Sequence, residues 1–598
     1  MKLLKPTTVK RILFFVLSDL AISVFTLLLA YGLRFNFEIP QAFTEPFLNI
    51  FLLLFTLKLI FFTYFNIYMT AWRFFSLEDA KKLLLAHLLS YGLFALIMIQ
   101  HFGILSPFPR SVVGIDFVLS LFFIGLLRIS KRYYLEHGDR SSMKPSLVIG
   151  ANNKTTQMIK SALQGDISYF PSAILSLLPE ERHTVHTYIN NVKVFAYDEL
   201  EEVVKKNKIE AAVLTLELDR DTLNSLYDRL YALGVQELRY YNLLEDAKEE
   251  FEPIRISDLL ARHPKDLDHK SIAEFIKGKR VMITGAGGSI GSEISLQCHE
   301  FGASSLLLVD HAEYNLYKIK EELPRAEARL LSVVSRDELA GVFKQFKPEI
   351  VIHAAAYKHV PLCEENVESA LKNNIRGTMN VIDLSIENRV QKLVIISTDK
   401  AVRPTNVMGA TKRVTELYGQ NIESKDTEIV AVRFGNVLGS SGSVIPKFRE
   451  QIEQGGPLTV THPEMTRYFM LISEACQLVL QAASIAKGNE LFILDMGEPV
   501  KIIDLAKKMI QLYGKKQEIK IEFSGLRPGE KLFEELMLDE NEQKTKYESI
   551  FIAKPTPYDI EQLKRDIEDL FTADKKVEAL QKIVPEFERR SESRIEAV

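Results

Sequence analysis

Four long apolar stretches near the start of the chain limit its possible folds more than any other feature. They cover residues 12–33, 46–72, 83–105 and 111–127, and together they contain only three charged side chains. Crossing the apolar core of a membrane takes about 20 mostly apolar residues in a helix, which each stretch supplies or nearly supplies. A cleaved signal peptide would explain the first stretch but not the other three. The sequence therefore predicts a four-helix transmembrane region over residues 1–135.

The charged residues divide the chain into two unlike parts. Of the first 130 residues 17 are charged, against 135 of the remaining 468. The first part has a net charge of +5 and the rest a net charge of −9. An acidic soluble part disfavours nucleic acid as the partner. At 598 residues the chain is also too long for one globular core, and a soluble-domain length of roughly 150 residues predicts three or four units.

The positions of the basic residues predict how the helices are oriented, because cytoplasmic loops are enriched in lysine and arginine. The opposite loops carry only Arg34 and Arg110. With an even number of spans, both ends of the chain are expected on the cytoplasmic side. The basic residues assigned to that side are Lys2, Lys5, Lys10, Arg11, Arg73, Lys81, Lys82, Arg128, Lys131 and Arg132.

Asp19, Lys58 and Asp116 are the three charged side chains inside the apolar stretches. A charge in the middle of a membrane is costly, so each is either functional or paired with another group. Four helices attached to a large soluble part favour structural pairing over a transport path. The three cysteines are far apart and form no Cys-x-x-Cys motif, so neither a disulfide framework nor a metal site is predicted.

Residues 142–260 predict a first, small α/β domain. Short apolar runs alternate with helical segments, beginning with Ser146-Leu-Val-Ile-Gly150, and this alternation is typical of a parallel sheet. The first turn, Gly150-Ala-Asn-Asn-Lys154, has a single glycine where a dinucleotide-binding turn has three. We therefore expect a regulatory or scaffolding role for this domain rather than cofactor binding.

Residues 271–550 predict a second α/β domain with an intact dinucleotide-binding turn. A predicted strand over residues 279–284 leads into a glycine-rich turn, and a helix follows from Ser292. Asp310 ends the second predicted strand, where it suits the adenosine ribose and favours NAD over NADP because it would repel a 2′-phosphate. The residues predicted to hold the pyrophosphate are Gly285, Gly287, Gly288, Ser289, Ile290 and Gly291.

Further candidate residues lie at the ends of the later predicted strands. The fifth strand, residues 392–396, ends in Ser397-Thr398-Asp399-Lys400. Open α/β sheets bind ligands at the carboxyl ends of their strands, so an adjacent acid and base there predict acid–base chemistry. Candidate cofactor residues after the third and fourth strands are Arg336, Asp337, Ala354, Ala355 and Ala356.

This layout resembles the extended short-chain dehydrogenase/reductase superfamily, which carries a Tyr-x-x-x-Lys helix after a Ser or Thr at the strand end. Lys412 matches the lysine and Thr398 matches the Ser or Thr, but Met408 stands where the superfamily has tyrosine. A methionine side chain has no proton to donate. A plain alcohol dehydrogenase or a 4-epimerase that relies on the tyrosine is therefore disfavoured.

Over essentially its full length the chain resembles the membrane-bound UDP-N-acetylglucosamine 4,6-dehydratases of bacterial surface-glycan pathways. The Ser-Thr-Asp-Lys run and Met408 carry this resemblance most specifically. It implies a multidomain fold: a four-helix transmembrane region plus two α/β Rossmann-like domains, the second an extended short-chain dehydrogenase/reductase fold, and a C-terminal helical tail over residues 551–598. It also implies NAD as cofactor, a UDP-sugar substrate, a homodimer or higher oligomer, and a bacterial inner membrane with the catalytic domain in the cytoplasm.

The resemblance further implies roles for individual residues. Lys400 removes the C5 proton of the sugar, Asp399 protonates the departing C6 hydroxyl, Thr398 hydrogen-bonds the C4 oxygen, and Lys412 holds the nicotinamide ribose. Lys400 needs a lowered pKa for this role, and Asp399 needs a dry site that keeps it protonated. The acceptor of the C4 hydroxyl proton is left open between Thr398, water and another base. Candidate substrate-binding residues are Lys358, Asn374, Arg433, Asn436, Val444, Arg467, Arg527 and Glu530.

Two other functions remain open from the sequence. A membrane-tethered nucleotide-sugar epimerase would release no water from its substrate. A non-catalytic nucleotide sensor that regulates glycan export would release no product at all. Asp399 and Lys400 argue against the sensor, since it has no use for an acid and a base at the edge of the sheet.

Overall fold

The computed structural model describes residues 8–69, 76–100, 110–136, 143–164, 167–243, 249–260, 267–514, 518–536 and 543–589. The chain divides into two compact units. The first comprises Met1–Leu216 and Arg239–Glu252, and the second comprises Glu217–Leu238 and Pro253–Val598.

The first unit begins with helices, four of which are long and apolar enough to cross a membrane. They confirm the four predicted spans but differ from them in length. The stretch over residues 46–72 becomes a helix that ends at Tyr64, and Trp72 lies outside the described residues. The stretch predicted to be shortest is a helix of 27 residues. The helices are α1 Thr8–Arg34, α2 Gln41–Thr44, α3 Phe47–Tyr64, α4 Leu77–Gln100, α5 Arg110–Glu136, α6 Asn153–Gln164 and α7 Leu200–Lys206.

The charged side chains in the apolar helices pair with one another. Asp19 on α1 accepts a hydrogen bond from Arg128 on α5 at 2.7 Å. Lys58 on α3 lies 3.8 Å from Asp116 on α5 and donates a hydrogen bond to Ser120 at 2.8 Å. Removing one member of a buried pair would leave an uncompensated charge, so these contacts hold the helices together in one arrangement.

The first unit also contains a sheet in the order β3-β4-β2-β1-β5-β6-β7. Strand β1 pairs in parallel with both β2 and β5, as the alternation of strands and helices predicts. The strands are β1 Lys144–Ile149, β2 Tyr169–Ser176, β3 Tyr188–Ile189, β4 Val192–Ala196, β5 Ala211–Leu214, β6 Glu237–Leu243 and β7 Glu249–Pro253.

Side chains fill the turn after β1. Asn152 donates hydrogen bonds to the carbonyl and the hydroxyl of Thr215 at 3.2 and 3.3 Å. A Cβ on Gly150 would lie 2.5 Å from Leu216 and 2.7 Å from the Thr215 hydroxyl. Protein groups thus crowd this turn.

The second unit is built on a larger sheet. Its helices are α8 Arg220–Ala232, α9 Ile256–Leu260, α10 His269–Ile276, α11 Ser289–Glu300, α12 Glu313–Glu322, α13 Arg336–Phe346, α14 Val360–Glu365, α15 Val367–Leu371, α16 Gly377–Glu387, α17 Val407–Asn421, α18 Val444–Glu453, α19 Ile472–Ile485, α20 Ile502–Tyr513, α21 Ile560–Thr572 and α22 Lys576–Ile583. Its strands are β8 Arg280–Thr284, β9 Ser305–Asp310, β10 Glu327–Leu330, β11 Ile350–His353, β12 Lys392–Ile396, β13 Glu428–Arg433, β14 Asn436–Val437, β15 Leu458–Val460, β16 Thr466–Arg467, β17 Phe469–Met470, β18 Glu490–Leu494, β19 Val500–Lys501, β20 Ile521–Phe523, β21 Gln543–Lys544 and β22 Ile550–Ile552.

Nine of these strands form one sheet in the order β10-β9-β8-β11-β12-β13-β18-β22-β21. The strands from β10 to β18 run parallel, and β22 and β21 add antiparallel. This order places β8 between β9 and β11, so the chain reverses direction across the sheet after β10, as in dinucleotide-binding folds. The two α/β sheets and the four apolar helices confirm the multidomain fold class.

Apolar side chains cover both faces of the larger sheet, because successive residues of a strand point to opposite sides. On β8, Met282 packs with α13, α16 and α17, while Val281 and Ile283 pack with α10, α11 and α19. The C-terminal helices join the first of these layers. Leu563 and Ile567 of α21 and Leu580 of α22 belong to the same buried cluster as residues of α17.

Candidate functional site

The glycine-rich turn joins β8 to α11 and has no space for a side chain at Gly285, Gly287 or Gly291. Gly285 has a φ of +72°, and a Cβ there would lie 2.6 Å from the backbone nitrogen of Ala355. A Cβ on Gly291 would lie 2.0 Å from the carbonyl oxygen of Gly285. The turn therefore brings the N-terminus of α11 close to the ends of β8 and β11, which suits an anionic group.

Asp310 lies at the end of β9 beside this turn. Its carboxylate accepts hydrogen bonds from the backbone of Gly287 at 2.9 Å and of Ala312 at 2.8 Å. A carboxylate has about four acceptor positions, so it retains capacity for a further donor such as a ribose hydroxyl. Arg336 and Asp337 begin α13 outside the cleft, and Arg336 pairs with Glu387.

A cleft of about 1010 Å³ opens at the carboxyl ends of the strands. Its predicted lining residues are Gly287, Gly288, Ser289, Ile290, Gly291, Ala354, Ala356, Lys358, Thr398, Lys400, Met408, Lys412, Asn436, Val444, Arg467, Arg527 and Glu530. The predicted residues that do not line it are Gly285, Asp310, Arg336, Asp337, Ala355, Asn374, Asp399 and Arg433. The structure thus brings most of the candidate residues to one cavity.

The Ser397–Lys400 run turns sharply after β12 and presents Lys400 to the cleft. Lys400 Nζ donates hydrogen bonds to Asp399 Oδ1 at 3.0 Å and to Asn436 Oδ1 at 3.2 Å. The Thr398 hydroxyl donates to the same Asp399 oxygen at 2.8 Å. The side chain of Asp399 is 1% exposed and that of Lys400 is 18% exposed. Asp399 therefore lies behind Lys400 as seen from the cleft. The Thr398 hydroxyl, which lines the cleft, connects Asp399 to it through a hydrogen bond.

The electrostatics of Lys400 differ from the expectation that its pKa is lowered. Burial alone would lower its pKa, but the carboxylates of Asp399 and Glu534 outweigh burial and hold the pKa above its ordinary value. A raised pKa favours the ammonium form of Lys400 at neutral pH, so Lys400 must lose a proton before it can act as a base.

Lys412 and Met408 lie one turn apart on α17. Lys412 Nζ donates a hydrogen bond to the carbonyl of Ile396 at 2.7 Å, which fixes it under the strand end. Burial lowers the pKa of Lys412 to about 8, and the nearby Glu416 offsets part of this effect. Met408 is buried at the cleft wall and supplies no proton.

Asn374 supports the cleft from behind. It lies in a π-helical turn, accepts a hydrogen bond from the backbone nitrogen of Tyr357 at 2.8 Å and donates to the carbonyl of the same residue at 3.0 Å. It also donates to the Thr411 hydroxyl at 3.0 Å. Asn374 thus fixes the loop that carries Lys358 and does not line the cleft.

The structure corrects the prediction for Arg433, which was expected to bind substrate. Its side chain is fully buried beneath the strand ends. It forms a two-pronged contact with Glu416, at 2.7 Å from Nε and 2.5 Å from Nη2. Ser397 and Arg413 donate to the same carboxylate at 2.6 and 3.2 Å. Arg433 therefore stabilises the end of β12 from inside the core.

Glu416→Gln is expected to lower the free energy of unfolding by about 3–5 kcal/mol, because it leaves Arg433 buried without its counter-charge. Urea unfolding of the detergent-solubilised chain measures this. Glu568→Gln is the matched control, since Glu568 pairs with Arg376 at the surface and its loss is expected to cost less than about 1 kcal/mol. Equal effects of the two changes would contradict the structural role of the buried pair.

The structure adds cleft residues that sequence reasoning missed. Lys447 follows Val444 on α18, and Lys318 lies on α12 beside the glycine turn. Glu534 approaches Lys400 from behind the cleft, four residues after Glu530. Proximity to the Arg527-Pro-Gly-Glu530 run was the one signal in the sequence that pointed towards Glu534.

Positive charge dominates the cleft walls. Because guanidinium and ammonium groups bind phosphates strongly, this lining suits ligands that contain diphosphates. Glu322 and Glu530 are the acidic lining residues. The cationic lining residues are Lys318, Lys358, Lys400, Lys412, Lys447, Arg467 and Arg527.

The chain is similar to proteins of polysaccharide biosynthesis. A family model described as "Polysaccharide biosynthesis protein" matches residues 281–555. The capsular polysaccharide biosynthesis protein CapD of Staphylococcus aureus is 41% identical over 530 residues, which cover 85% of this chain and 87% of that protein. The probable polysaccharide biosynthesis protein EpsC of Bacillus subtilis (strain 168) is 40% identical over 526 residues, covering 84% and 87%. Among solved structures, Pen from Bacillus thuringiensis shares 37% identity at a TM-score of 0.44, covering 47% of this chain and 89% of that one.

Proposed function

Because the chain belongs to the polysaccharide biosynthesis protein family that includes CapD and EpsC, we propose that it is an NAD-dependent UDP-N-acetylglucosamine 4,6-dehydratase. The protein is a nucleotide-sugar modifying enzyme, and its four apolar helices associate it with a membrane. The proposed product is a UDP-4-keto-6-deoxy sugar, made on the cytoplasmic side of a bacterial inner membrane. The contact between Asp399 and Lys400 at the wall of a cationic cleft carries the proposal.

The residues of the glycine turn fit NAD. Gly285 and Gly291 allow a tight turn in which a Cβ would overlap the backbone, and this turn leads into the N-terminus of α11, which favours the pyrophosphate. Asp310 has acceptor capacity for the adenosine ribose, and Lys412 is the candidate for the nicotinamide ribose. Bound NAD would accept a hydride from C4 of the sugar and later return it to C6. Protein residues must move every proton.

The hydrogen bond from Thr398 to Asp399 supports a route for the C4 hydroxyl proton. Met408 cannot take that proton. The Thr398 hydroxyl can receive it while passing its own proton to Asp399, 2.8 Å away. Asp399 then protonates the departing C6 hydroxyl, and water leaves. On this route Asp399 begins ionised, which differs from the expectation that it is kept protonated.

Lys400 completes the proton balance. As a free amine it removes the C5 proton, which is acidic once C4 is a ketone, and it returns that proton when C6 has been reduced. The proton of the C4 hydroxyl and the hydroxyl of C6 together make the released water, while the hydrogen on C4 leaves as the hydride. The reaction therefore needs one acid–base group for the proton of the C4 hydroxyl and another for the proton on C5. Asp399 supplies the first and Lys400 the second.

Incubation of the full chain in detergent with UDP-N-acetylglucosamine and NAD tests this function. The expected result is a nucleotide sugar lighter by one water molecule, detected by mass spectrometry. UDP-glucose, which lacks the N-acetyl group, serves as the comparison substrate for specificity. A 4-epimer of unchanged mass would instead establish an epimerase, and the absence of any product from several nucleotide sugars would refute catalysis.

A further inference from the structure

Glu534 is a buried carboxylate behind the reacting pair. Its side chain is 3% exposed, and its Oε1 lies 3.6 Å from Lys400 Nζ and 3.8 Å from Arg467 Nε. Its Oε2 is buried and has no hydrogen-bond partner among the described residues. Burial raises the pKa of Glu534 above its usual range, and attraction to Lys400 offsets this only in part. Glu534 is therefore a carboxylate that accepts a proton readily.

Arg467 holds Glu534 in position. The Arg467 guanidinium donates hydrogen bonds to the carbonyls of Lys531 and Leu532 at 2.7 and 3.2 Å, which fixes the segment that carries Glu534. The charged groups around Lys400 and Glu534 come from several elements. They are Asp399 in the turn after β12, Arg467 on β16, Lys358 in the loop after β11, and Lys531 in the segment after β20.

The proton count of the proposed reaction requires a third group. Asp399 must begin ionised to accept the proton of the C4 hydroxyl. Lys400 must begin as a free amine to accept the proton on C5. In the structure Lys400 Nζ lies 3.0 Å from Asp399 and 3.6 Å from Glu534, and two carboxylates this close favour the ammonium form. If Asp399 took the proton of Lys400, it could no longer accept the proton from C4. Among the described residues, Glu534 is the remaining carboxylate in contact with Lys400.

We propose that Glu534 is a positioning residue that takes the proton of Lys400 when the substrate is bound and so leaves Lys400 as a free amine. In this step an N–H bond of the ammonium breaks and an O–H bond forms on Glu534, with no exchange with solvent. A movement of about half an ångström brings the two side chains to hydrogen-bond distance. The inference rests on the proposed function.

The pH dependence of turnover tests this role in the full chain. Glu534→Gln removes the acceptor but keeps the shape, so at neutral pH turnover is expected to fall at least about tenfold. Turnover should recover towards pH ~10, where Lys400 loses its proton to water. Glu534→Asp should restore the pH profile of the original chain. The control is Glu535→Gln, since Glu535 is the neighbouring glutamate and pairs with Arg403 at the surface. A loss that does not vary with pH would overturn the proposal.

A second measurement follows the protonation of Lys400 in the absence of catalysis. Limited labelling with acetic anhydride over a pH series, followed by mass spectrometry, gives the pH at which half of Lys400 reacts. Glu534→Gln should lower this midpoint by about one unit, because it removes a neighbouring negative charge, and Glu535→Gln should leave it unchanged. An unshifted midpoint in folded Glu534→Gln would overturn the proposal. A shifted midpoint in a chain that releases no water from any nucleotide sugar would refute only the proposed function.

Discussion

Lys400→Ala is expected to reduce the rate of water loss from UDP-N-acetylglucosamine about a thousandfold, while NAD still binds. Alanine removes the proposed base for the C5 proton, and the contacts of Lys400 are to Asp399, Asn436 and Glu534 rather than to the glycine turn. Mass spectrometry of the product measures the rate, and fluorescence titration measures the binding of NAD. The two measurements separate loss of chemistry from loss of the cofactor.

The control for this change is Lys344→Ala, since Lys344 is an exposed lysine on α13 away from the cleft. It should leave both the rate and NAD binding unchanged.

Asp399→Asn should resemble Lys400→Ala, because asparagine keeps the shape of the side chain but cannot accept a proton. A rate within about tenfold of the original in either Asp399→Asn or Lys400→Ala would show that the catalytic roles are misassigned.

Gly291→Ala is expected to weaken NAD binding about a hundredfold and to abolish turnover with it. The added Cβ would lie 2.0 Å from the Gly285 carbonyl oxygen and 2.9 Å from the Ala286 Cα, so the backbone of the turn must move. Overpacking of this kind costs about 1–3 kcal/mol, and a factor of ten in affinity is about 1.4 kcal/mol. Titration of the full chain with NAD measures the change.

Gly341→Ala is the matched control for this change. Gly341 lies within α13, and a Cβ there would meet nothing within 4 Å. Alanine in the interior of a helix should stabilise the chain slightly, by roughly 0.5–1 kcal/mol, and leave NAD binding as it was. If Gly291→Ala bound NAD as tightly as Gly341→Ala, the glycine turn would not be the cofactor site.

The parts of the site that follow a strand directly could be predicted from the sequence, because local patterns determine them. The glycine turn follows a strand and begins a helix, and the Ser397–Lys400 run follows a strand with four consecutive apolar residues. Both therefore lie at the carboxyl edge of the parallel sheet. The four apolar helices were predictable for a similar reason, since length and hydropathy are local properties.

Two features of the site could not be predicted from local patterns. Arg433 is the last residue of β13, and successive side chains of a strand point to opposite faces of the sheet. The position of Arg433 in this alternation directs its side chain into the core, where it contacts Glu416. Glu534 is 134 residues from Lys400 in sequence, and only the path of the segment after β20 brings the two together. The positions of the Arg433 and Glu534 side chains therefore depend on long-range packing, which residue spacing in the sequence does not predict.

The packing of α21 and α22 against α17 makes the folding of one cleft wall depend on the last part of the chain to be synthesised. Helix α17 carries Met408 and Lys412, and its outer face is covered by buried residues of the last two described helices. Arg413 on α17 also donates a hydrogen bond to Glu586 at 3.0 Å. A ribosome makes α1 to α5 before α17, and it makes α17 before the helices that cover it. The wall of the cleft that carries Met408 and Lys412 is therefore fully packed only after the last described helices have been made.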